Sequence, residues 1–423
     1  MKSMSKSLLI LFILLCGSGA QAADEANNDD ARMPLEELRH FTQAFDQIRQ
    51  AYVEEIDDRE LLEMAISGLL SSLDPHSVYL NEDDFKDLEE HTTGEFGGLG
   101  IEVGMEGGFI KVITPIDGTP AERAGIQAGD LIIKLDDQLV QGMTLGEAIE
   151  IMRGPKGSKL TLTVVRPNRD GPFEVEVVRD IIQVHSIRSR MLEPGFAYVR
   201  IAQFQENTGV EFSDTLSKLT EEHRLKGLVL DLRNNPGGLL NASVEVADAV
   251  LDEGLVVYTE GRLPSAGNQY YAKPGDLLDG LPIVVLINEG SASAAEILAG
   301  ALQDHRRALI LGTSSFGKGS VQTVIPLSNN RGIKLTTARY FTPNKRSIQA
   351  EGIHPNIVVK PAEVRLLESR QQIKEANLAG HLTNEETPQA EESEDLSQED
   401  NQLYEALNLL KGLDIFTAAD DKK

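Results

Sequence analysis

Cysteine is nearly absent from this chain of 423 residues. The single cysteine, Cys16, directly follows the apolar run of residues 8–15, which has two lysines before it and Ala20-Gln21-Ala22 after it. A basic start, a short apolar run and a small-x-small tripeptide are typical of a cleavable secretory signal, here residues 1–22. Cleavage after Ala22 would leave a mature chain without cysteine, which excludes stabilising disulfides and zinc sites built on thiolates.

Long apolar runs are also lacking. A transmembrane helix needs about 20 consecutive apolar residues, and the run of residues 8–15 is shorter than that. Lipid attachment at Cys16 is the alternative to cleavage, although Leu15 stands where lipid attachment requires a small residue. We therefore expect export to the periplasm, cleavage after Ala22 and no integral membrane segment in the mature protein.

Basic residues are outnumbered, since 40 lysines and arginines stand against 67 aspartates and glutamates, a formal net charge of −27 at pH 7. Such a charge repels phosphate backbones and anionic lipid surfaces, so nucleic acid is not expected as a partner. Residues 385–400 carry acidic side chains and no basic one, which predicts a solvated linker rather than a metal site. We expect no metal, nucleotide or other cofactor.

The character of the chain changes several times, which predicts more than one domain. Residues 33–94 space their apolar side chains three and four apart, which predicts a helical domain that packs on itself or pairs with another copy. Residues 95–167 predict a small module of short strands, glycine turns and one helix. Residues 180–365 alternate strands and helices, which predicts an α/β core with parallel strands. Residues 366–423 hold the acidic linker and an amphipathic helix that docks on its own core or on another copy. The bounds predicted within the core are strands 228–232, 282–287 and 308–311 and helices 241–251 and 292–303.

A candidate nucleophile follows the second of these core strands. A turn of small residues there, Gly290-Ser291-Ala292-Ser293, leads directly into a helix. Free N–H groups and the positive end of the helix dipole surround a serine at that position, and both favour a developing oxyanion. The alternative is that Ser291 or Ser293 only caps the helix.

A serine nucleophile needs a base, and the usual signatures are absent. The eight histidines are scattered, and no Gly-x-Ser-x-Gly motif is present. A lysine can serve instead when burial lowers its pKa, as in Ser-Lys variants of the triad. Lys318 lies between Gly317 and Gly319 after the third core strand, where it could reach the same end of the sheet as Ser293. The alternative is an ordinary lysine in a surface loop.

A tight bend closes the first core strand. Pro236, Gly237 and Gly238 expose backbone N–H groups there, which is one way to build an oxyanion donor. The alternative is a plain Pro-Gly turn.

Four motifs occur together and in order along the chain. They are Gly97-Gly98-Leu99-Gly100-Ile101, Asn234-Asn235-Pro236-Gly237-Gly238, Gly290-Ser291-Ala292-Ser293-Ala294-Ala295-Glu296 and Phe316-Gly317-Lys318-Gly319-Ser320-Val321-Gln322. With further matching stretches at residues 73–80, 340–343 and 347–353, the chain resembles the carboxyl-terminal processing, or tail-specific, proteases over residues 35–361.

The resemblance implies a ClpP/crotonase-like α/β protease core with an inserted PDZ-like domain. It implies Ser293 as nucleophile, Lys318 as general base and Gln322 as a hydrogen-bond partner that orients the lysine. The oxyanion donors fall on the N–H groups of Ala294 and of Gly238, or of Gly237 instead. Ala295 departs from the serine that is frequent in the family. Glu296 and Asp304 match positions expected to support the site.

The resemblance also implies how substrates are recognised. In PDZ-like modules, a loop such as Gly98-Leu99-Gly100-Ile101 offers N–H groups to a terminal carboxylate, and the peptide adds as a strand. Leu99 and Ile101 would face Ala148, Ile149 and Met152 across a groove, unless these apolar side chains only form the core of the module. Arg153 is a weaker candidate for a groove contact, with a surface arginine as the alternative.

The sequence therefore predicts a periplasmic serine endopeptidase that recognises exposed apolar C-termini of proteins and cleaves through an acyl-enzyme. The resemblance alone implies three further expectations. The substrates are envelope proteins such as cell-wall hydrolases, a lipoprotein with helical repeats acts as an adaptor, and the protein forms a homo-oligomer through its terminal helices. The alternatives are a non-catalytic periplasmic PDZ scaffold or chaperone, and a Ser-His protease.

Overall fold

The computed structural model describes residues 34–116, 118–167, 169–364 and 396–420, with side chains described as far as residue 416. The predicted signal peptide and most of the predicted acidic linker lie outside the described residues. The chain divides into two compact units, residues 1–68 and residues 69–423. Within the described ranges, no helix combines the length and the apolar character that crossing a membrane requires.

Two helices make up the described part of the first unit. They are α1 (Leu35–Ala51) and α2 (Asp58–Ser71), whose last residues belong to the second unit. Arg49, in the last turn of α1, joins the two helices through an ion pair with Asp58 at 3.4 Å, and it also pairs with Asp46 of its own helix at 3.0 Å. No residue of α1 is buried, and its apolar side chains face solvent. An exposed apolar stripe is what a partner helix would cover, so pairing of α1 with another copy stays a prediction.

The second unit begins with a short segment that leads into the PDZ-like module. Its elements are β1 (Val78–Leu80), α3 (Glu82–Thr93) and β2 (Glu95–Gly98). Asn81 caps α3 by accepting Asp84 N–H at 2.9 Å, and Gly94 ends the helix in the left-handed conformation, with φ 73°.

The module itself is antiparallel. Its elements are β3 (Ile101–Glu106), β4 (Phe109–Pro115), α4 (Pro120–Arg123), β5 (Leu131–Leu135), β6 (Gln138–Leu139), α5 (Leu145–Met152), β7 (Lys159–Val165) and β8 (Phe173–Val178). The strands pair in the order β3-β4-β5-β7-β8, with β6 on β5. The chain then leaves through β9 (Asp180–Gln183), which pairs with β2. The module is therefore an insertion whose two ends are held together by one short ladder.

The rest of the unit is the α/β core with a second sheet beside it. The elements follow as β10 (Ile187–Glu193), β11 (Phe196–Ile201), α6 (Thr208–Glu222), β12 (Gly227–Asp231), α7 (Leu240–Asp248), β13 (Gly254–Gly261), β14 (Gln269–Ala272), β15 (Ile283–Ile287), α8 (Ala294–Asp304), β16 (Ala308–Gly312), β17 (Ser320–Leu327), β18 (Arg331–Phe341), β19 (Ile357–Val358), α9 (Leu396–Glu399) and α10 (Asn401–Asp420).

The central sheet has the order β10-β11-β12-β15-β16-β19, and all its pairings except β10 with β11 are parallel. The second sheet has the order β1-β18-β13-β14, with β17 also on β18. The three predicted core strands and the two predicted helices correspond to β12, β15, β16, α7 and α8, and every end lies within three residues of its predicted position. The predicted mixed α/β class is confirmed.

Both faces of the central sheet are covered, as the uninterrupted apolar strands require. Leu228 and Leu230 of β12 belong to the core formed with α6, α7 and α8. Val229, which points to the opposite face, packs with Leu403 and Leu407 of α10. The C-terminal helix thus docks on its own core, which was one of the two alternatives open from the sequence.

Candidate active site

The turn between β15 and α8 presents Ser293 at the start of the helix. Ser293 has φ 56° and ψ −115°, a backbone conformation rare for any residue with a side chain. Its N–H donates to Glu296 Oε2 at 2.8 Å, and Ala292 N–H donates to Asn235 O at 2.9 Å. The turn is therefore strained and held from both sides, as backbone strain at functional sites generally is.

The two serines of this turn have different environments. Ser291 is fully buried, donates its hydroxyl to Leu232 O at 2.8 Å and accepts Asn288 N–H at 3.0 Å. Ser293 instead lines an open cavity of about 480 Å³. Ser291 thus fastens the turn, and Ser293 is the serine of this pair that faces the cavity.

The cavity brings together residues that are far apart in the sequence. Six of the predicted site residues line it: Ser293, Lys318, Gln322, Gly237, Gly238 and Ala294. They come from the segments that follow β12, β15 and β16 and from the start of β17. Parallel strands bring such segments to one edge of the sheet, which is where α/β folds place ligands.

Glu296 connects the serine turn to the lysine segment. Its side chain is fully buried and accepts four hydrogen bonds. Oε2 accepts the N–H groups of Ser293 at 2.8 Å and Lys318 at 2.9 Å. Oε1 accepts Gly317 N–H at 2.7 Å and the hydroxyl of Ser315 at 2.6 Å. One carboxylate therefore sets the backbone positions of both candidate catalytic residues.

Lys318 lies in surroundings that favour its neutral form. Burial lowers the pKa of Lys318 because the ammonium loses hydration, and repulsion from Lys334 lowers it further. Glu296 and Asp74 act in the opposite direction without cancelling these effects. A lysine that is neutral can accept a proton, and the lowered pKa of Lys318 changes its protonation in the direction that a lysine base requires.

Tyr340 stands between the two candidates. It is almost fully buried, its hydroxyl donates to Lys318 O, and it lies within hydrogen-bonding reach of the Ser293 side chain. Burial raises the pKa of Tyr340 well above its ordinary value, so the hydroxyl keeps its proton. Among the described residues, no hydrogen bond joins Lys318 Nζ to Ser293. Geometry of this loose kind is common in active sites without substrate.

Gln322 lines the same cavity, but its hydrogen bonds differ from those expected. Its amide nitrogen donates to Ser320 Oγ at 3.0 Å and to Thr336 Oγ1 at 3.3 Å, and none of its hydrogen bonds in the described part of the chain reaches Lys318. Thr336 in turn donates to Asp74 at 3.1 Å. The predicted contact with the lysine is therefore absent here, because β17 and β18 supply other partners.

The two glycines after Pro236 have different roles. Gly237 N–H donates to Asn235 Oδ1 at 2.8 Å, so Gly237, the alternative oxyanion donor, has no free amide to offer. The N–H groups of Gly238 and Ala294 have no acceptor among the described residues, and both residues line the cavity. Gly237 also packs directly on the turn that carries Ser293, since a Cβ placed on it would lie 2.7 Å from Ser293 Cβ.

Sequence reasoning missed the contribution of the segment before β1. Asp74 accepts hydrogen bonds from the N–H groups of His76 and Ser77 and from the Ser77 and Thr336 hydroxyls. Burial alone would raise the pKa of Asp74, but these hydrogen bonds hold it below its ordinary value. The match of residues 73–80 to the family could have indicated that this segment takes part in the site, but the sequence did not show which role it has.

Two histidines lie near the candidate dyad. Burial, followed by repulsion from Lys318, lowers the pKa of His76. His91 lines the cavity, and its Nδ1 is 2.6 Å from Asp87 O. In the part of the chain that the structure describes, neither histidine is hydrogen-bonded to Ser293.

A second, smaller cavity of about 220 Å³ lies between β3 and α5 of the PDZ-like module. Six of the seven predicted groove residues line it: Gly98, Leu99, Gly100, Ile101, Ile149 and Met152. The seventh, Ala148, is fully buried in the core of the module, one helix position away from the groove. Ala148 was therefore a wrong assignment, and it belongs to the core alternative.

Arg153 borders this groove and is not a free surface side chain. Its guanidinium lies 3.0 Å from Glu90 and 3.5 Å from Asp87 of α3, and it stacks over the Phe96 ring at 5.4 Å. α3 also contributes His91 to the catalytic cavity. The same helix, α3, therefore pairs with Arg153 of the groove and lines the larger cavity.

Comparisons with known proteins place this site in a family. Peptidase family S41 matches residues 195–359, a PDZ domain matches residues 111–166, and an activating protease CtpB N-terminal domain matches residues 16–84. A carboxy-terminal-processing protease of Bartonella bacilliformis is 46% identical to this chain over 410 residues. The matched region covers 95% of this chain and 94% of the length of that protease. The chain belongs to the carboxy-terminal processing proteases.

Other members of the family share less of the sequence. The carboxy-terminal processing protease CtpA of Bacillus subtilis is 35% identical, covering 75% of this chain and 68% of its own. The solved structure of a photosystem II D1 C-terminal processing protease is 32% identical in sequence, with a TM-score of 0.45. The match covers 77% of this chain and 93% of the chain in that structure. The two family models and the 46% identical relative confirm the predicted family, and with it a protease function and a PDZ domain.

Proposed function

We propose that this protein is a serine endopeptidase in which Ser293 is the nucleophile and Lys318 the general base. The observation that carries the proposal is their common cavity, where burial and Lys334 lower the pKa of Lys318 and which is also lined by two residues whose N–H groups have no acceptor among the described residues. The Gly238 and Ala294 amides are the proposed oxyanion donors. Glu296 holds the backbone of both catalytic residues.

The proposed reaction runs through an acyl-enzyme. Ser293 Oγ attacks the carbonyl carbon of the peptide while its proton passes to Lys318 Nζ. The carbonyl oxygen takes up the electron pair of the C=O double bond, and the resulting oxyanion accepts hydrogen bonds from the N–H groups of Gly238 and Ala294. The C–N bond then breaks as Lys318 returns the proton to the leaving amine. Water then attacks the ester carbon as it gives a proton to the same lysine. The ester C–O bond breaks as Lys318 passes that proton to Ser293 Oγ, which releases the new carboxyl terminus and restores Ser293.

Substrate selection is assigned to the PDZ groove. The N–H groups of the Gly98–Ile101 loop would bind the terminal carboxylate, and the apolar lining of the groove favours an apolar last residue. The lining side chains that would contact the last residue are Leu99, Ile101, Ile149 and Met152. We propose proteins with exposed apolar C-termini as substrates.

The cellular setting follows from the sequence and the family resemblance. The signal-like residues 1–22 support export to the periplasm, where envelope proteins such as cell-wall hydrolases would be substrates. The exposed apolar face of α1 supports assembly with another copy. A lipoprotein adaptor with helical repeats rests on the resemblance alone.

The test compares the purified wild type with Ser293→Ala, Lys318→Ala and Ser314→Ala on an unfolded protein with an apolar C-terminus. Ser314 is the control because its hydroxyl bonds His354 outside the catalytic cavity. Each protein is assayed with and without a cell-envelope extract, so that a requirement for an adaptor is detected. We expect cleavage by the wild type and Ser314→Ala alone.

Each other outcome favours a different alternative. Cleavage by purified Ser293→Ala would refute Ser293 as the nucleophile. Inactivity of all four proteins in both conditions would favour a non-catalytic PDZ scaffold or chaperone. Replacing His76 and His91 singly by alanine tests the Ser-His alternative, because loss of a catalytic histidine costs several orders of magnitude in rate.

A further inference from the structure

Arg233 stands at the junction between β12 and the loop that carries the proposed oxyanion donor Gly238. Its side chain is only 13% exposed and lies between two carboxylates. Nε and Nη2 donate to Asp231 at 3.0 Å and 2.8 Å, and Nη1 and Nη2 donate to Asp400 at 2.9 Å and 2.7 Å. Paired guanidinium–carboxylate bonds of this kind fix orientation as well as distance.

The inner carboxylate belongs to the end of the strand. Asp231 is fully buried, and besides the guanidinium it accepts Arg233 N–H at 2.9 Å and the hydroxyl of Tyr198 at 2.8 Å. Burial, and then the charge of Asp231, raise the pKa of Tyr198 to about 12, so this hydroxyl stays a donor. Asp231 therefore folds the Arg233 side chain back over the end of β12.

The outer carboxylate belongs to the C-terminal segment. Asp400 caps α10 by accepting Leu403 N–H at 3.0 Å, and the neighbouring Gln402 accepts Arg233 Nη1 at 3.0 Å. Burial would raise the pKa of Asp400, but hydrogen bonds from Arg233 hold it below its ordinary value, so the carboxylate is charged. The start of α10 thus supplies three acceptors to one arginine 167 residues earlier in the chain.

The loop after Arg233 has little regular structure, so its shape depends on such contacts. Asn234 has a positive φ of 56°, and Gly238 has φ 137°. Asn235 ties the middle of the loop to the core by donating to Ile201 O at 2.9 Å, and Phe204 N–H donates to Gly237 O at 2.8 Å near its end. At its beginning the loop is held by Asn234, whose N–H donates to Asn288 Oδ1 at 2.8 Å, and by the Arg233 cluster.

We propose that Asp400 is a positioning residue for the peptidase reaction, acting through Arg233 to hold the loop that presents the Gly238 N–H to the oxyanion. The inference rests on the proposed function of Ser293 and Gly238. It assigns the C-terminal helix a part in catalysis, besides covering the apolar face of the sheet. Because an oxyanion donor acts in the transition state, losing this anchor lowers kcat while KM stays nearly constant.

The experiment compares Asp400→Ser with Asp414→Ser in the full-length protein. Serine keeps the helix cap at position 400 but cannot reach both guanidinium nitrogens. Asp414 is the matched control, since it pairs with Lys226 at 2.8 Å and fastens the same helix at the opposite end of β12, far from the oxyanion loop. Rates are expressed per active serine, with melting temperatures measured for both variants.

We expect Asp400→Ser to lower kcat about 5- to 20-fold, less than the roughly 100-fold or greater loss on removing an oxyanion donor outright. Its affinity for a peptide boronate, which forms a tetrahedral adduct, should fall in parallel. Asp414→Ser should stay within about twofold of wild type in both measures, and KM should change less than about twofold in either variant.

Three results would overturn the inference: wild-type kcat in Asp400→Ser, an equal fall in both variants, or a change confined to KM. If Asp400→Ser is poorly folded, Arg233→Lys gives the same comparison, because lysine keeps the charge but cannot bond both carboxylates. Ser293→Ala is assayed alongside. Activity in Ser293→Ala refutes the proposed function, whereas its inactivity together with full activity of Asp400→Ser refutes only the role of Asp400.

Discussion

The N–H groups of Ser293 and Lys318 donate to the same carboxylate oxygen, Glu296 Oε2, at 2.8 Å and 2.9 Å. The proposed nucleophile and the proposed base, which lie 25 residues apart in the sequence, are thereby positioned by one buried side chain. Four hydrogen bonds to a charged, fully buried acceptor hold the site before substrate arrives.

The first prediction concerns Glu296→Gln. The amide keeps the shape but turns one acceptor oxygen into a donor that faces N–H groups, and each lost hydrogen bond to a charged group costs about 1.5–3 kcal/mol. We expect kcat to fall at least about tenfold and the free energy of unfolding to fall by about 2 kcal/mol or more. Chemical denaturation and peptide turnover measure the two effects.

Glu289→Gln serves as its control, because Glu289 lies on the same turn but accepts the hydroxyl of Thr313 at an exposed site and does not contact Lys318 in the described part of the chain. Equal activity of Glu296→Gln and Glu289→Gln would show that the shared carboxylate is not needed to align the dyad.

The second prediction concerns pH. Only neutral Lys318 accepts the serine proton, so kcat/KM should rise as the pH passes the lowered pKa of Lys318. Lys334→Gln removes a positive charge that lowers the pKa of Lys318, so the pKa should increase and the rise in activity should move to higher pH. Lys218→Gln, on the exposed face of α6, should leave the profile unchanged.

The measurement is a pH profile of kcat/KM for the three proteins at constant ionic strength. A shift to lower pH in Lys334→Gln, or a profile that falls as pH increases through this range, would contradict a lysine base.

The third prediction concerns Gly238→Ala. A Cβ at this position would lie 2.1 Å from Phe204 O, on a backbone with φ 137°. The loop must therefore move away from Phe204, and its N–H leaves the proposed oxyanion position. We expect a loss of kcat of about 100-fold, the size seen when an oxyanion donor is removed.

Gly275→Ala is the matched control, because Gly275 has φ 141° with nothing within 4 Å of the added Cβ. Both variants strain the backbone, but only the first displaces the loop. If both lower activity by the same factor, the effect is one of stability, and the melting temperatures of the two variants will reveal it.

The fourth prediction concerns the PDZ groove. Ile149→Gln places a polar amide in the apolar lining of the groove, so KM for substrates with an apolar C-terminus should rise about tenfold or more. A short peptide that occupies only the catalytic cavity should be cleaved at the wild-type rate. Kinetics with both substrates separate the two sites.

Ile113→Gln is the control, since Ile113 lies on β4 of the same module, is 51% exposed and does not line the groove. A rise in KM that is the same for both variants, or for both substrates, would argue against C-terminal recognition at Ile149.

The strands and helices of the α/β core were predictable because the spacing of apolar and polar residues within each segment indicates its secondary structure. Buried apolar runs separated by amphipathic segments specify β12, β15, β16, α7 and α8 within three residues. The second sheet was not predicted, because β13, β14, β17 and β18 mix polar and apolar side chains and pair across distant segments. Pairing partners of that kind are set by tertiary packing and not by periodicity.

The residues of the candidate site were predictable from the motifs, but several of their contacts were not. Motif order placed Ser293, Lys318, Gln322, Gly238 and Ala294, and all five line one cavity. The hydrogen bond of Gly237 to Asn235 and the burial of Ala148 were not readable, because each depends on which way a group points once neighbouring segments meet. The same applies to Gln322, whose amide bonds Ser320 and Thr336.

The sequence by itself determined the family and supplied the candidate site residues, since both depend on residue type and spacing. Only the tertiary structure decided the protonation tendency of Lys318, which depends on burial and on Lys334. It also decided the convergence of Glu296 on both catalytic segments and the contact of Asp400 with Arg233. Desolvation and hydrogen-bond geometry arise only when distant parts of the chain come together, so no local pattern encodes them.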